Sequence, residues 1–351
     1  MRVLFLIPNS SGGAEKVSIN YAHVLARSGF LVTILLIRTH NDKVELSEYI
    51  SHKNISVENY NWNGVFKSSV GLIKYIVKNK PEFVFSSLTT FSILAVVASF
   101  FAKNINVIAR QCFTPGTESK MLEFCLSCFL RYAYINIAQT PEMRQQMITS
   151  YKFAEDNVVS IYNPLNKSDI LAKTKGIEQN NSVAYRFVSI GRVSPDKDYV
   201  TLLKAFNIVC QHHPESRLTI IGNNYKDSYY CNLISLIQQY GLTDSVAFIE
   251  YTSNPYQYML SNDCLVLSSI REGLPNVVLE AMFLNVPVVA TESIPFIAEN
   301  ISEGINGYRC KIGDYVQLAE KMMLAPMLKG KISNENVSGN AEQQIIKLFT
   351  L

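Results

Sequence analysis

Short, uninterrupted runs of apolar residues alternate along the chain with longer segments in which apolar residues recur every three or four positions. The short runs are typical of parallel strands that are buried on both faces. The longer segments have the period of amphipathic helices. The first part of the chain therefore predicts strands at 3–7, 32–37, 83–87, 107–109, 135–138 and 158–162, and helices at 14–28, 66–78, 90–102, 119–132 and 141–151.

The alternation pauses at a polar stretch, 166–182, which we interpret as a linker or surface excursion. It then resumes with predicted strands at 187–190, 218–221, 246–249, 264–268 and 286–290, and predicted helices at 199–211, 228–240, 255–260, 276–283 and 314–324. Such a series predicts an α/β protein with two doubly wound parallel-sheet domains that face a cleft. We expect one domain at 1–165, a second at 166–330, and a tail at 331–351 that returns to the first domain as a short helix.

Composition narrows the class of protein. Hydrophobic residues make up 48% and charged residues 17% of the 351 residues, which supports large cores and argues against disorder. The net charge of +3 is too small for the dense basic face of a nucleic-acid-binding protein. The N-terminal apolar run is too short for a signal peptide, and no run reaches the about 18 apolar residues of a transmembrane helix. The seven cysteines form no paired framework, so we expect reduced thiols and a cytoplasmic protein.

Two glycines, Gly12 and Gly13, follow the first predicted strand and precede a helix. They let the backbone approach a ligand closely, and the helix start offers free N–H groups to an anion. A tight strand-to-helix turn explains the same pattern equally well. The loop lacks the G-x-G-x-x-G spacing, and the second strand ends at Ile37 and Arg38 rather than at an acid, which argues against a dinucleotide-dependent dehydrogenase.

Arg192 and Lys197 follow the predicted strand 187–190. Arginine offers a planar fork and lysine a compact charge to phosphate oxygens, so their place after a strand favours a phosphate site over two solvated surface cations. Asp196 and Asp198 form a D-x-D pattern, which some sugar-transfer enzymes use to hold a metal. The lysine between the two carboxylates competes with a cation, and we predict no metal site.

The segment 271–280 follows another buried strand. Glu272 lies in its loop, and Asn276 opens a helix that carries Glu280. The helix start favours a diphosphate, the Glu280 carboxylate can accept hydrogen bonds from two ribose hydroxyls, and Glu272 can reach a sugar beyond the phosphates. Two exposed acids at a helix start are the ordinary alternative. The Gly-x-Pro turn between the acids and the apolar sequel 286–291 favour a binding site.

The stretch 271–291 resembles the E-x7-E signature of retaining glycosyltransferases of family 4, which have the two-domain GT-B fold. Gly191-Arg192 with Lys197 is similar to the family's phosphate-binding pair. Gly12-Gly13 is similar to its N-terminal glycine loop, and 161–164 to the segment before the chain crosses between domains. The four segments follow the family's order and span 12–291.

The resemblance implies that Arg192 and Lys197 hold the donor diphosphate, that Glu280 binds the ribose and that Glu272 contacts the donor sugar. It implies that Gly13 lies near the phosphates and the acceptor. It also implies a nucleotide-diphosphate sugar as donor, with UDP the expected carrier, and no metal or other cofactor. The departing phosphate would deprotonate the acceptor, and the anomeric configuration would be retained.

One departure from the family concerns the loop after 107–109, where many relatives carry a histidine and this chain has Arg110. We expect Arg110 either to approach the sugar or acceptor, or to form a structural salt bridge. The predicted catalytic residues are thus Glu272 and Arg110, and the predicted donor-binding residues are Gly12, Gly13, Arg192, Lys197, Gly273, Leu274, Pro275, Asn276 and Glu280.

The acceptor side is expected in the first domain. Basic and apolar residues lie side by side in 66–80, and 119–134 is richly apolar, which suits contact with the inner face of a membrane. Ordinary sheet-packing helices are the alternative. The expected reaction is transfer of a hexose or N-acetylhexosamine to a lipid-linked or growing surface glycan of bacterial type. A sugar-nucleotide epimerase or hydrolase of the same fold, and a non-catalytic sugar-nucleotide binder, are the alternatives.

Overall fold

The computed structural model describes residues 1–8, 13–38, 52–61, 65–111, 120–177, 183–223, 226–332 and 340–350. The chain divides into two compact units. Unit 1 comprises Met1–Asn166 together with Ser338–Leu351, and unit 2 comprises Lys167–Val337. Each unit is built around one parallel sheet.

Unit 1 begins with a strand and continues as a strand–helix series. Its strands are β1 (Arg2–Pro8), β2 (Leu31–Arg38), β3 (Ile55–Asn61), β4 (Phe83–Ser86), β5 (Asn106–Arg110), β6 (Ile135–Ala138) and β7 (Val158–Ser160). Its helices in this part of the chain are α1 (Gly13–Arg27), α2 (Val65–Asn79), α3 (Thr89–Phe101), α4 (Lys120–Phe129) and α5 (Pro141–Tyr151). The strand order β3-β2-β1-β4-β5-β6-β7, with every neighbouring pair parallel, is that of a doubly wound sheet.

The first strand shows why the apolar runs are uninterrupted. Successive side chains of a strand point to opposite faces of the sheet. Phe5 packs with α1 in one core cluster, whereas its neighbours Leu4 and Leu6 pack in another with α2, α3, α4 and α5. Both faces are therefore covered, and every central position of β1 must be apolar.

Unit 2 repeats the pattern. Its strands are β8 (Arg186–Ile190), β9 (Arg217–Ile221), β10 (Val246–Ile249), β11 (Cys264–Leu267), β12 (Val288–Thr291) and β13 (Gly307–Cys310). Its helices are α6 (Lys167–Thr174), α7 (Tyr199–His212), α8 (Ser228–Gln239), α9 (Tyr256–Ser261), α10 (Asn276–Phe283), α11 (Pro295–Asn300) and α12 (Tyr315–Leu324). The parallel strands have the order β10-β9-β8-β11-β12-β13.

The last helix, α13 (Ala341–Leu348), belongs to unit 1. Its buried Ile345 and the following Phe349 lie in the same core cluster as Phe5 and α1. The ring centroids of Phe349 and Phe83 are 5.2 Å apart. The C-terminal segment therefore completes the α1 side of the first sheet.

The predicted fold class, two doubly wound parallel sheets, is confirmed, and several local predictions are wrong. The polar stretch after 166 begins with helix α6 rather than a linker, because Ile170 is buried and Lys173 pairs with Asp169 one turn away (3.0 Å). Strands β3 and β13 and helix α11 were not predicted. Over the residues that the structure describes, no helix is long and apolar enough to cross a membrane.

Candidate active site

The candidate residues of unit 2 lie where strands of its sheet end. Gly191 and Arg192 follow β8, Gly222 follows β9, and the loop containing Glu272 follows β11. Because β9, β8 and β11 are neighbours in the sheet and run parallel, these three loops are at the same edge. Ligands of such sheets bind at this carboxyl edge.

Lys197 and Glu272 form an ion pair at this edge, between Lys197 Nζ and Glu272 Oε1. Ser269 Oγ donates a second hydrogen bond to the same carboxylate oxygen (2.6 Å). The lysine side chain is 21% exposed and the glutamate side chain 10% exposed, so both are largely out of solvent. The cation assigned to the diphosphate and the carboxylate assigned to the sugar are therefore partners of each other.

Backbone contacts hold the two loops that carry this pair. Ser268 Oγ donates to the carbonyl oxygen of Lys197 (2.7 Å), and Ile270 N donates to that of Asp196 (2.8 Å). Thr291 Oγ1, at the end of β12, donates to Ser269 O (2.6 Å). Since these bonds use backbone oxygens, the loop positions do not depend on the ion pair itself.

Gly191 brings the backbone of the first loop close to the lysine. A Cβ atom at this position would lie 3.1 Å from Lys197 Cε and 3.4 Å from Tyr199 OH. The Tyr199 hydroxyl donates to Gly191 O (2.9 Å). Burial raises the pKa of Tyr199 well above its ordinary value, so this hydroxyl stays a neutral donor.

Gly222 is a site residue that the sequence analysis missed. A Cβ atom there would lie 1.9 Å from Gly191 O and 3.2 Å from Arg192 N, so only glycine permits this approach of the two loops. The sequence contains one indication of this role, because Gly222 directly follows Ile221 at the end of a strand predicted to be buried. Its role depends on β9 being the neighbour of β8, which the sequence does not show.

The remaining predicted residues of unit 2 have different surroundings. Arg192 is exposed, and its side chain forms no ion pair with any residue in the described part of the chain. Glu280 is only 3% exposed and lies in α10, just over one turn after the helix start. Helix α10 has no side-chain cap at Pro275, and its first turn follows Glu272 closely in the chain. Between Glu272 and this turn the burial varies: Gly273 and Asn276 are half-buried, and Leu274 and Pro275 are buried.

The D-x-D carboxylates serve other purposes. Asp196 Oδ1 accepts a hydrogen bond from Arg271 Nη2 (2.7 Å), in an exposed pair. Asp198 Oδ1 accepts from Thr201 N (3.2 Å) and caps the start of α7. Within the described residues, no three His, Cys, Asp or Glu side chains gather in a group that could hold a metal.

In unit 1, Arg110 ends β5 and is 2% exposed. Its Nη2 donates a hydrogen bond to Oδ1 of Asn163, which is itself buried after β7. Arg110 therefore contacts an amide of the segment that precedes the crossing to unit 2. Gly13 is exposed at the start of α1, and Gly12 lies outside the described residues.

Other polar side chains of unit 1 lie in the segments that follow its strands, and those of helix α1 form hydrogen bonds with them. Ser18 Oγ and Ser87 Oγ are hydrogen-bonded (2.7 Å), and Asn20 Nδ2 donates to Pro164 O (2.9 Å). Gln139 Nε2 donates to the carbonyl oxygen of Gln111, the residue after Arg110 (2.9 Å). This edge of unit 1 is thus polar and internally hydrogen-bonded, which suits a site for a hydroxyl-rich ligand.

Comparison with known proteins agrees with this architecture. Residues 172–344 match the model of the family described as glycosyl transferases group 1. A Haemophilus influenzae protein named as an uncharacterized glycosyltransferase is 26% identical over 329 residues, which cover 92% of this chain and 90% of that protein. The structure of Anabaena HepE in complex with UDP-glucose superposes with a TM-score of 0.79 at 19% identity, covering 100% of this chain and 98% of that one.

A Campylobacter jejuni relative is 23% identical over 308 residues, covering 82% of this chain and 80% of that protein. It is named N-acetylgalactosamine-N,N'-diacetylbacillosaminyl-diphospho-undecaprenol 4-alpha-N-acetylgalactosaminyltransferase. The chain is therefore a glycosyltransferase with the GT-B fold. Its second part, residues 172–344, which carries the candidate donor site, matches the group 1 glycosyl transferases.

Proposed function

We propose that this enzyme transfers a hexose or N-acetylhexosamine from a UDP-linked sugar to a lipid-linked or growing surface glycan at a membrane surface. The Lys197–Glu272 pair at the carboxyl edge of the unit 2 sheet carries the proposal, because it places a cation beside a carboxylate in a largely buried site. The Anabaena structure with UDP-glucose supports a UDP donor. The name of the Campylobacter relative supports a lipid-linked acceptor.

In this proposal the donor diphosphate binds to Arg192, Lys197 and the start of α10. Arg192 is exposed and available to a ligand, and Lys197 is held against Gly191 by the packing of its side chain. The N-terminus of α10 lacks a side-chain cap and adds backbone N–H groups and the positive end of the helix dipole. These groups neutralise the charge that develops on the leaving diphosphate, so the transfer needs no metal.

The two glutamates bind the ribose and the sugar of the donor. Glu280 accepts hydrogen bonds from the ribose hydroxyls, and Glu272 accepts from hydroxyls of the sugar. When the diphosphate binds Lys197, the lysine exchanges part of its interaction with Glu272 for the phosphate, and the carboxylate turns to the sugar. Donor binding therefore makes the Glu272 carboxylate, which is paired with Lys197, available to accept hydrogen bonds from the sugar hydroxyls.

The transfer itself breaks the bond between the anomeric carbon and the diphosphate oxygen. The acceptor hydroxyl oxygen forms the new bond on the same face of the sugar, and its proton passes to the departing phosphate oxygen. Retention of configuration follows, and no side chain of the enzyme has to act as base. Arg110 contributes by positioning, through its hydrogen bond with Asn163, the polar edge of unit 1 that we assign to the acceptor.

A stepwise experiment tests the proposal. Thermal shifts with UDP-, GDP- and ADP-sugars should show the largest stabilisation with a UDP-sugar, because binding to the native state raises stability. The best donor is then incubated with undecaprenyl-diphosphate-linked glycans, and products are analysed by mass spectrometry and by NMR of the new linkage. Glycan extension with an axial or equatorial linkage matching that of the donor supports retaining transfer.

The alternatives predict different products. An epimerase or hydrolase of this fold would convert the nucleotide sugar without any acceptor, and a non-catalytic binder would be stabilised by the donor without releasing UDP. Free UDP that appears only when the acceptor is present distinguishes the proposed transferase from both. Donor turnover at the same rate without acceptor would refute it.

A further inference from the structure

Ser269, two residues after the end of β11, has a fully buried side chain. Its Oγ donates a hydrogen bond to Oε1 of Glu272 (2.6 Å). A carboxylate can only accept hydrogen bonds, so the proton of this bond belongs to the serine. Because water does not reach the Ser269 side chain, its hydroxyl is committed to the carboxylate that we assign to the donor sugar.

The two oxygens of the Glu272 carboxylate have unequal surroundings. Oε1 accepts hydrogen bonds from both Lys197 Nζ and Ser269 Oγ. Oε2 accepts none from any residue in the part of the chain that the structure describes. One oxygen is therefore anchored by the protein, and the other remains for a hydroxyl group of a ligand.

The side-chain torsion of glutamate itself does not fix this orientation. The last torsion, which turns the carboxylate plane, has broad preferences and is roughly two-fold. Holding the plane in one position therefore requires a hydrogen bond to a chosen oxygen. In the proposed function Lys197 moves part of its interaction from Glu272 to the diphosphate, which leaves the Ser269 hydroxyl as the constant anchor of Oε1.

Other contacts hold the Ser269 backbone. Thr291 Oγ1 donates to Ser269 O (2.6 Å). The neighbours Ser268 and Ile270 donate, through Oγ (2.7 Å) and the backbone N–H (2.8 Å), to carbonyl oxygens of the loop that carries Lys197. Loss of the Ser269 hydroxyl leaves all three bonds intact. Its effect should therefore fall on the direction of the carboxylate rather than on the position of the loops.

We propose that Ser269 is a positioning residue that determines which oxygen of Glu272 meets the donor sugar. Its hydroxyl holds Oε1, so that Oε2 accepts a hydrogen bond from a sugar hydroxyl while Lys197 binds the diphosphate. The proposal rests on the proposed function, which assigns the sugar to Glu272, and adds the oxygen that is used and the group that holds it. Ser269 itself touches neither the sugar nor the acceptor.

Variants at position 269 separate the hydroxyl from the volume of the side chain. Ser269→Ala lacks the donor, and Ser269→Cys has a similar size but only a weak donor. Both should lower kcat roughly tenfold, the scale of losing a hydrogen bond to a charged group. Ser269→Thr keeps the hydroxyl and should retain most of the activity. The Kd for UDP should stay that of the parent in all three, because UDP lacks the sugar.

Binding measurements report on the same contact without transfer. Titration with UDP and with the UDP-sugar that gives the largest thermal shift yields the ratio of the two Kd values, which measures the contribution of the sugar. In Ser269→Ala this contribution should fall roughly threefold or more, since the sugar hydroxyl loses an oriented acceptor.

A double-mutant cycle identifies the residue through which Ser269 acts. In a Glu272→Gln background, Ser269→Ala should change kcat by less than about twofold, because the positioned carboxylate is already absent. Ser92→Ala is the matched control. It removes another fully buried hydroxyl, which donates to Leu88 O (3.0 Å) in unit 1, and should lower the melting temperature while leaving kcat and both Kd values unchanged.

Three outcomes would overturn the inference: parental kcat and parental Kd ratio in Ser269→Ala, the same loss of kcat with and without the Glu272 carboxylate, and UDP binding weakened as much as UDP-sugar binding. The last would assign the hydroxyl to the structure of the loops. A parent chain without any transfer, in which Ser269→Ala still lowers the contribution of the sugar to binding, would refute the proposed function and leave the positioning role standing. Thermal denaturation of each variant confirms that it is folded.

Discussion

Lys197 and Glu272, which are 75 residues apart in the chain, share one ion pair at the end of the unit 2 sheet. Their partners in the donor are expected to be different, the diphosphate for the lysine and the sugar for the glutamate. Each charge is therefore neutralised by the other. This arrangement avoids an isolated buried charge, which would be costly.

The first prediction is that removal of Lys197 weakens UDP binding, whereas removal of the Glu272 charge does not. Lys197→Ala removes a phosphate ligand and should weaken donor use by about 2–5 kcal/mol, or roughly 30-fold or more in kcat/KM. Glu272→Gln removes the competitor for Lys197 and should leave the Kd for UDP unchanged or lower, while kcat falls roughly tenfold or more. Isothermal titration with UDP and initial rates with the UDP-sugar measure the two effects.

Lys311→Ala is the control for the lysine, because it removes an exposed cation from the same unit and should change neither quantity. Weaker UDP binding in both Lys197→Ala and Glu272→Gln would show that the pair acts only as a structural link between the two loops.

The second prediction concerns Gly222. In Gly222→Ala the new methyl group would lie 1.9 Å from Gly191 O, so the backbone at Gly191 and Arg192 has to move. The donor diphosphate then loses well-placed contacts, and we expect UDP binding to weaken roughly tenfold or more, since misplaced phosphate ligands lose charge-assisted hydrogen bonds. Titration with UDP measures the change.

Gly241→Ala separates this effect from general destabilisation. Gly241 has a left-handed backbone (φ +66°) and open space around it, so alanine there costs roughly 1 kcal/mol of stability. Its thermal stability should fall while its UDP affinity stays that of the parent. A Gly222→Ala protein with normal UDP affinity would contradict the role assigned to the contact between the loops.

The third prediction is that the enzyme works without a metal. Asp196 is paired with Arg271 and Asp198 caps α7, so the D-x-D carboxylates are engaged in the fold. EDTA should leave the transfer rate unchanged. Asp198→Ala should lower the free energy of unfolding by about 1 kcal/mol through loss of the cap. The activity of this variant should not depend on a metal either. Activity that EDTA abolishes and Mn²⁺ restores would assign these carboxylates to a metal after all.

The parts of the fold that the sequence predicts are those in which one physical demand dominates. Strands such as β1 and β4 are covered on both faces, so burial dictates their apolar runs. Strand β3 lies at the sheet edge with mostly exposed side chains, and its sequence ISVENYN lacks an apolar run. Strand β13, at the edge of the second sheet, is short and contains a glycine and an arginine.

The candidate site, too, is predictable from the sequence only in part. The sequence predicts Lys197 and Glu272 as ligand residues, because each follows a strand at the edge where ligands bind. It does not predict their pairing, which depends on how two loops far apart in the chain pack on each other. Gly222 is missed for the same reason, since its importance comes from a neighbouring strand and not from its own surroundings in the sequence.

The fourth prediction concerns an ion pair remote from the donor site. Lys329 Nζ and Asp263 Oδ1 are 2.7 Å apart, and the two side chains are 1% and 2% exposed. The other carboxylate oxygen of Asp263 accepts from the backbone N–H groups of Ala184 (3.0 Å) and Arg186 (2.9 Å). Asp263 therefore holds together the beginnings of β8 and β11 and the segment that follows α12.

Because Asp263 has backbone partners as well as Lys329, we expect substitution of Asp263 to cost more stability than substitution of Lys329. Asp263→Ala leaves a buried lysine and two backbone donors without their acceptor, and should cost about 3–5 kcal/mol of unfolding free energy. Lys329→Met leaves the carboxylate with both backbone donors and should cost clearly less. Urea denaturation compares them with Glu342→Gln, which removes the exposed pair with Arg27 and should cost less than about 1 kcal/mol. A larger loss in Lys329→Met than in Asp263→Ala would show that the ion pair, and not the backbone anchoring by Asp263, stabilises this end of the sheet.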